Sequence, residues 1–139
     1  MRQQQKEVSV TTSGQGLYEI SDAARAFAAD TGIATGQLTA YCRHTSASLV
    51  IQENADPDVQ RDLLAFFKRL VPDGDPLFVH TMEGPDDMPA HVKSALTQTS
   101  ITMPIMRSAL ALGTWQGLYL FEHRSNPHAR KIVLHAIGE

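Results

Sequence analysis

Asp56-Pro57-Asp58 constrains this chain more than any other three residues. An acidic side chain that can accept from free N–H groups, followed by a proline whose fixed φ suits the first helical position, dictates a helix start. Beyond it Val59, Leu63, Phe66 and Leu70 recur at spacings of four, three and four, an apolar stripe for packing onto a sheet. Pro72-Asp73-Gly74 stops the pattern, so we expect a helix from about Asp56 to Leu70 that buries those four side chains. Upstream, Gln37–Gln52 is rich in Thr, Tyr, Leu, Val and Ile and reads as one strand. Alternation places Leu38, Ala40, Cys42, His44, Ser46 and Ser48 on one face, and Tyr41, Arg43, Thr45, Ala47 and Leu49 on the other. A bulge would swap the later members.

Around this pair the remaining elements are short. Glu7–Thr12 reads as a strand ending in the turn Ser13-Gly14-Gln15-Gly16. A helix over AARAFAAD follows, with Ser21 as its cap and Gly32 past its end. Pro76–Thr81 reads as a short strand ending at His80. The loop from Glu83 runs into a helix, MPAHVKSAL, capped by Asp86 or Asp87. Ser100–Met106, Leu110–Leu112, Thr114–Arg124 and Arg130–Ile137 are β-like. Late strands joined as hairpins predict α+β: one domain over residues 1–139, with a mainly antiparallel, sandwich-like sheet and two to three outer helices.

Composition narrows the function. The 139 residues carry 12 basic and 15 acidic side chains, and no stretch gathers Lys and Arg, so a nucleic-acid partner is not expected. No run approaches ~18 apolar residues, so no membrane span is expected. The start, MRQQQKEVSV, lacks a signal-peptide core, and the single Cys42 cannot form an internal disulfide; a cytoplasmic location is expected.

Six histidines leave the chemistry open. His44, His80 and His91 come from separate elements and could surround a cation while leaving a position for water or substrate, as catalytic zinc does. Equally, each could be separately exposed or hydrogen-bonded, since no HxH or HExxH pair occurs. Glu83, Asp86 and Asp87 could add ligands, hold Mg²⁺ or act as acid and base, although helix capping accounts for one Asp. Lys93, Arg124 and Arg130, with Arg43, could assemble an anion site, or simply be solvated. No Gly-rich phosphate loop is present, and Ser46, Ser48 and Cys42 lack the setting of a nucleophile. Gly113-Thr114-Trp115-Gln116-Gly117 offers a buried Trp or a backbone approached by a ligand or neighbouring chain.

Taken together, His44-Thr45-Ser46-Ala47-Ser48-Leu49, Glu53-Asn54-Ala55-Asp56-Pro57, the run from His80 to Lys93, Leu112 to Gly117 and Glu122-His123-Arg124 closely resemble the YjbQ family. The blocks occur in family order across nearly the whole chain. The resemblance implies a small, largely β, cytoplasmic homotrimer with a weak thiamine-phosphate synthase activity, joining a pyrimidine diphosphate to a thiazole phosphate. It implies Glu83, Glu122 and His80 as catalytic residues, and Ser46, Asn54, Lys93, Gln116, Arg124 and Arg130 as substrate-binding ones. It also favours a metal at His44, His80 and His91, zinc by ligand type, with Mg²⁺ accompanying a diphosphate substrate. A non-catalytic metal- or phosphometabolite-binding protein and a metal-dependent hydrolase are the alternatives. His123, His128 and His135 lie outside the tightest blocks and are read as incidental. Leu118, Leu120, Ile132 and Leu134 supply apolar surface that a trimer would bury.

Overall fold

A computed structural model describes all residues 1–139. In chain order the elements begin with β1 (Arg2–Thr12), β2 (Gly16–Glu19), α1 (Ser21–Thr31), β3 (Thr35–Cys42), β4 (Ala47–Glu53) and α2 (Pro57–Leu70). They continue with α3 (Asp87–Leu96), β5 (Ser100–Met106), β6 (Ala109–Leu110), β7 (Gln116–Glu122) and β8 (His128–Gly138). One sheet has the order β1-β8-β3-β5-β6 and the other β2-β7-β4, and every pairing is antiparallel. The α+β, antiparallel architecture with three helices is the one expected.

Both sheets contribute to one core. Leu38 and Ala40 of β3, Leu49 of β4, Leu118 and Leu120 of β7, and Ile132 and Leu134 of β8 are sealed from solvent. Ala24, Phe27 and Ala28 of α1 cover the same cluster. Each fully buried Leu or Ile here stabilises the fold by about 1.5–3 kcal/mol. Leu118, Leu120, Ile132 and Leu134, expected to supply a subunit interface, are therefore used inside the protomer, while Val133 and Ile137 on the other face of β8 stay partly exposed.

Several local expectations need correction. Gln37–Gln52 is not one strand: the chain breaks at Arg43–Ser46 and passes from the first sheet to the second. The break does what a bulge would, since Ala47 and Leu49 become core residues while Leu38 and Cys42 stay in it. Pro76–Thr81 forms no strand, because no neighbouring strand offers it a ladder. Ser21 does not cap α1. Its hydroxyl donates to Glu19 (2.7 Å) and accepts from the Leu118 amide (2.8 Å), tying the helix start to β7. Gly32, at φ 70°, ends α1 in the left-handed conformation that glycine adopts without strain. Asp56 caps α2 as expected, accepting from the Asp58 amide at 2.9 Å. The inward stripe of α2, however, runs through the half-buried Val59, Leu63 and Phe67 to the buried Val71 just past the helix, leaving Phe66 and Leu70 about half exposed. Phe67 meets Phe121 edge to face, ring centroids 5.3 Å apart. Steps of four keep that face on β7, whereas a step of three turns Phe66 off it.

Candidate functional site

α3 opens with Asp87, and one helical turn places His91 above it on the same face. The irregular segment before the helix returns His80 to that turn. Asp87 Oδ2 lies 2.8 Å from His80 Nε2 and 3.1 Å from His91 Nε2. His80, Asp87 and His91 each offer one donor atom, all within 4.8 Å of one another. Arg124, just past β7, binds the other Asp87 oxygen (2.8 Å), Asp86 (3.0 Å) and the Glu83 carbonyl (3.0 Å). Asp86 does not cap α3; its carboxylate takes the Arg124 guanidinium and the Ser125 amide instead.

Electrostatics hold this cluster ionised. Burial pushes the Asp87 carboxyl up, but hydrogen bonding to His80 and Glu83 and the charges of His91 and Arg124 outweigh it, and the pKa is lowered. Asp86 behaves likewise: burial opposes, and the Ser125 amide and Arg124 prevail. Three carboxylates beside one guanidinium leave an excess of negative charge, which favours a cation.

The proton inventory around His91 sharpens this. Its Nδ1 lies 2.8 Å from the Thr45 carbonyl. A carbonyl can only accept, so Nδ1 carries a proton, and the Nε2 of a neutral ring turns a lone pair toward the Asp87 carboxylate. Two acceptors at 3.1 Å are balanced only by a cation between them, whether a proton or a metal ion. Two imidazoles and a carboxylate suit zinc or a late transition metal, and the Thr45 carbonyl and Arg124 are the outer partners such ligands require. The donor set fits.

His44 stands outside this set. Its Nε2 accepts from the Lys131 amide at 2.7 Å, and its other nitrogen faces Arg130. Asp87, not His44, is the third member of the cluster. Glu122 is fully buried and accepts five hydrogen bonds, two from Arg130 and one each from Thr12 and the amides of His123 and Arg124. Burial raises its pKa and the Arg130 bond more than reverses that, so Glu122 stays a carboxylate that aims Arg130. Its oxygens are occupied by Arg130, Thr12 and two backbone amides, so the structure gives Glu122, expected as catalytic, a place in a buried ion-pair network. Glu83, also expected as catalytic, is exposed, and its carboxyl neighbours Asp87.

Other expected residues scatter. Ser46 Oγ accepts from Arg130 at 3.0 Å and belongs to the Glu122 network. Lys93 is 3% exposed, and burial lowers its pKa against the favourable charges of Asp73 and Asp86. Asn54 and Gln116 lie at the Glu53–Gln116 end of the β4–β7 ladder, six residues and roughly 20 Å from the Glu122 end. Gln116 accepts from the Gly113 amide at 2.8 Å and shapes its own turn, and Trp115 stands in solvent rather than in the core. His123 is not incidental: it is sealed from solvent, bonded through Nε2 to Ser48 (2.9 Å), and burial pushes its pKa down to about 3. Nothing in its sequence context signals that burial, and the Thr45 carbonyl, being backbone, carries no sequence signal at all.

A cavity of about 530 Å³ opens beside the cluster, lined by Tyr41, Arg43, His44, Thr45 and His91 among others. No helix of the chain is long and apolar enough to cross a membrane.

A family model described as "UPF0047 protein YjbQ-like" matches residues 6–139. A UPF0047 protein of Synechocystis is 49% identical over 138 residues, covering 99% of this chain and 94% of that one. The UPF0047 protein YjbQ of Escherichia coli O157:H7 is 38% identical, covering 97% and 98%. A crystal structure of a YjbQ/UPF0047 family protein from Clostridium acetobutylicum superposes with a TM-score of 0.88 at 33% identity, covering 95% and 99%.

Proposed function

Because this chain belongs to the YjbQ-like UPF0047 family and sets two acceptors face to face at Asp87 and His91, we propose that it is a divalent-metal protein acting on a phosphorylated small molecule. His80 Nε2, Asp87 Oδ2 and His91 Nε2 would hold the ion, zinc by ligand type. Such an ion, when bound, would polarise a phosphoryl oxygen and neutralise charge on a leaving group. The chain supplies the rest. Arg124 fixes Asp86 and Asp87, Glu83 beside Asp87 would move the proton, and Lys93 adds a desolvated positive charge near Asp86.

The specific reaction we put forward is weak thiamine-phosphate synthesis, in which a thiazole phosphate displaces pyrophosphate from a pyrimidine diphosphate that arrives with Mg²⁺. A few well-placed charges suffice for a weak activity, each contributing on the order of 3 kcal/mol in a dry site. A homotrimer belongs to the same proposal. Val79 and Met82, 96% and 97% exposed on either side of His80, are large apolar side chains that a second copy would cover next to the site.

Elemental analysis of untagged protein is expected to show near-stoichiometric metal, lost in His80→Ala. With both precursors and Mg²⁺, thiamine phosphate is expected to form slowly and to fall at least tenfold in Glu83→Gln and Arg124→Ala. A metal-free protein that refuses zinc defeats the centre. Metal without product leaves a binding protein, and phosphate release from the diphosphate alone points to hydrolysis.

A further inference from the structure

His44 lies at the crossing from the first sheet to the second, held between two donors. The Lys131 amide points at Nε2 from 2.7 Å, and an amide N–H can only donate, so Nε2 carries the lone pair and Nδ1 the proton. Nδ1 then faces Nη1 of Arg130 at 3.4 Å, and a guanidinium cannot accept. Two N–H groups confront each other with no acceptor between them. Protonating the ring would only set a second N–H against the Lys131 amide. Burial and the Arg130 charge accordingly hold the His44 pKa below its ordinary value.

The Arg130 side is built, not incidental. Its Nε and Nη2 are bound by Glu122, and Nη2 also reaches Ser46, so Nη1 is the nitrogen that faces away from this clamp. The residue is 4% exposed, and its orientation is fixed from behind by a fully buried carboxylate. Of the pair, His44 lines the 530 Å³ cavity, together with Arg43 and His91, while Arg130 is buried next to it and is not part of the lining. An oxygen about 2.9 Å from each of two nitrogens 3.4 Å apart sits beside the line joining them, so both N–H groups turn toward it on binding.

We propose that His44 Nδ1–H and Arg130 Nη1–H form an oxyanion subsite of this cavity, receiving an oxygen of the substrate's phosphate or carboxylate group. His44 is then an anion donor and not a metal ligand. The proposal rests on the cavity being the substrate site, and it names the group that enters it. Because Glu122 already matches the Arg130 charge, recognition comes from two aimed donors rather than from net charge.

Long-range proton–nitrogen correlation on ¹⁵N-labelled, unsubstituted protein reads the tautomer directly, and the expected form is Nδ1–H. Inorganic phosphate is expected to move the His44 Nδ1–H signal saturably, and acetate in its place separates a phosphoryl from a carboxylate preference. His44→Ala is expected to weaken anion binding by about tenfold, the loss of one of two donors, while metal content stays unchanged. An Nε2–H tautomer, a His44 signal that neither anion moves, or loss of metal in His44→Ala overturns the subsite. If the unsubstituted protein holds no metal but phosphate still shifts His44, the metal centre fails and the subsite stands.

Discussion

Arg130→Met tests whether the buried Glu122–Arg130 pair holds the two sheets through its charge. In the native chain Arg130 Nε lies 2.7 Å from Glu122 Oε1, and Nη2 binds the other oxygen. Methionine fills much of the space but leaves a carboxylate at 0% exposure with only Thr12 and two backbone amides. His128 does not rescue it: its Nδ1 is 4.0 Å from Glu122 and bonded to the Asn126 carbonyl. Removing one partner of a buried pair costs about 3–5 kcal/mol. With an unfolding entropy of about 0.3 kcal/mol per kelvin for a chain of this size, Tm falls by roughly 10–17 °C. The pH dependence carries the sign. Natively the Glu122 pKa is lowered, so its contribution is present above the unfolded carboxylate value of about 4.3 and lost as pH falls through the folded one. Without the guanidinium, burial raises the folded pKa, and the penalty grows as pH rises through that raised value. The stability gap between the two proteins is therefore widest near neutrality and narrows toward about pH 5. Urea denaturation followed by circular dichroism at both pH values measures it. A gap under about 1 kcal/mol at neutral pH, or one that does not narrow, refutes the reasoning.

Three further perturbations follow from the geometry. Phe67→Ala is expected to cost about 2–3 kcal/mol through loss of its packing on Phe121, whereas Phe66→Ala costs under about 1 kcal/mol; equal effects would return α2 to the expected face. Gly36 faces Gly138 across β3 and β8, and a Cβ there meets the Ile137 carbonyl, so Gly36→Ala is expected to lower stability by about 2–3 kcal/mol in a thermal melt. Arg124→Ala removes the partner that lowers the Asp86 and Asp87 pKa values against their burial. Its deficit is expected to be about 1–2 kcal/mol above about pH 5, where both native carboxylates are ionised, and to vanish as pH falls through their lowered values; a pH-independent deficit in urea melts contradicts this.

The sequence was most legible where local chemistry and tertiary context agree. Ser100–Met106 is a strand with the expected ends, and Asp56 caps the helix that its neighbour proline begins. It was least legible where only a distant partner decides. Arg43–Ser46 has strand-like composition, and what interrupts it is the change of sheet, a property of β7 and β8 more than of the four residues. Pro76–Thr81 has strand composition and no partner. The cluster was half legible: His80 and His91 converge as expected, while Asp87 was anticipated as a cap or an added ligand and proves central. His44 and His123 were misjudged for one reason, that a histidine's role is set by the donors and acceptors around it, and those come from Lys131, Arg130 and Ser48.

The crossing at Arg43–Ser46 has a thermodynamic corollary. Thr45 offers its carbonyl to His91, and His44, the preceding residue, presents its ring to Arg130. Two consecutive residues thus join a place where positive charge is wanted to one where negative charge is wanted. With both proposed sites filled, a displacement of that backbone would be felt at each of them. Reciprocity then fixes the accounting: whatever factor a cation at Asp87 applies to the affinity for an anion at His44, the anion returns to the cation in full.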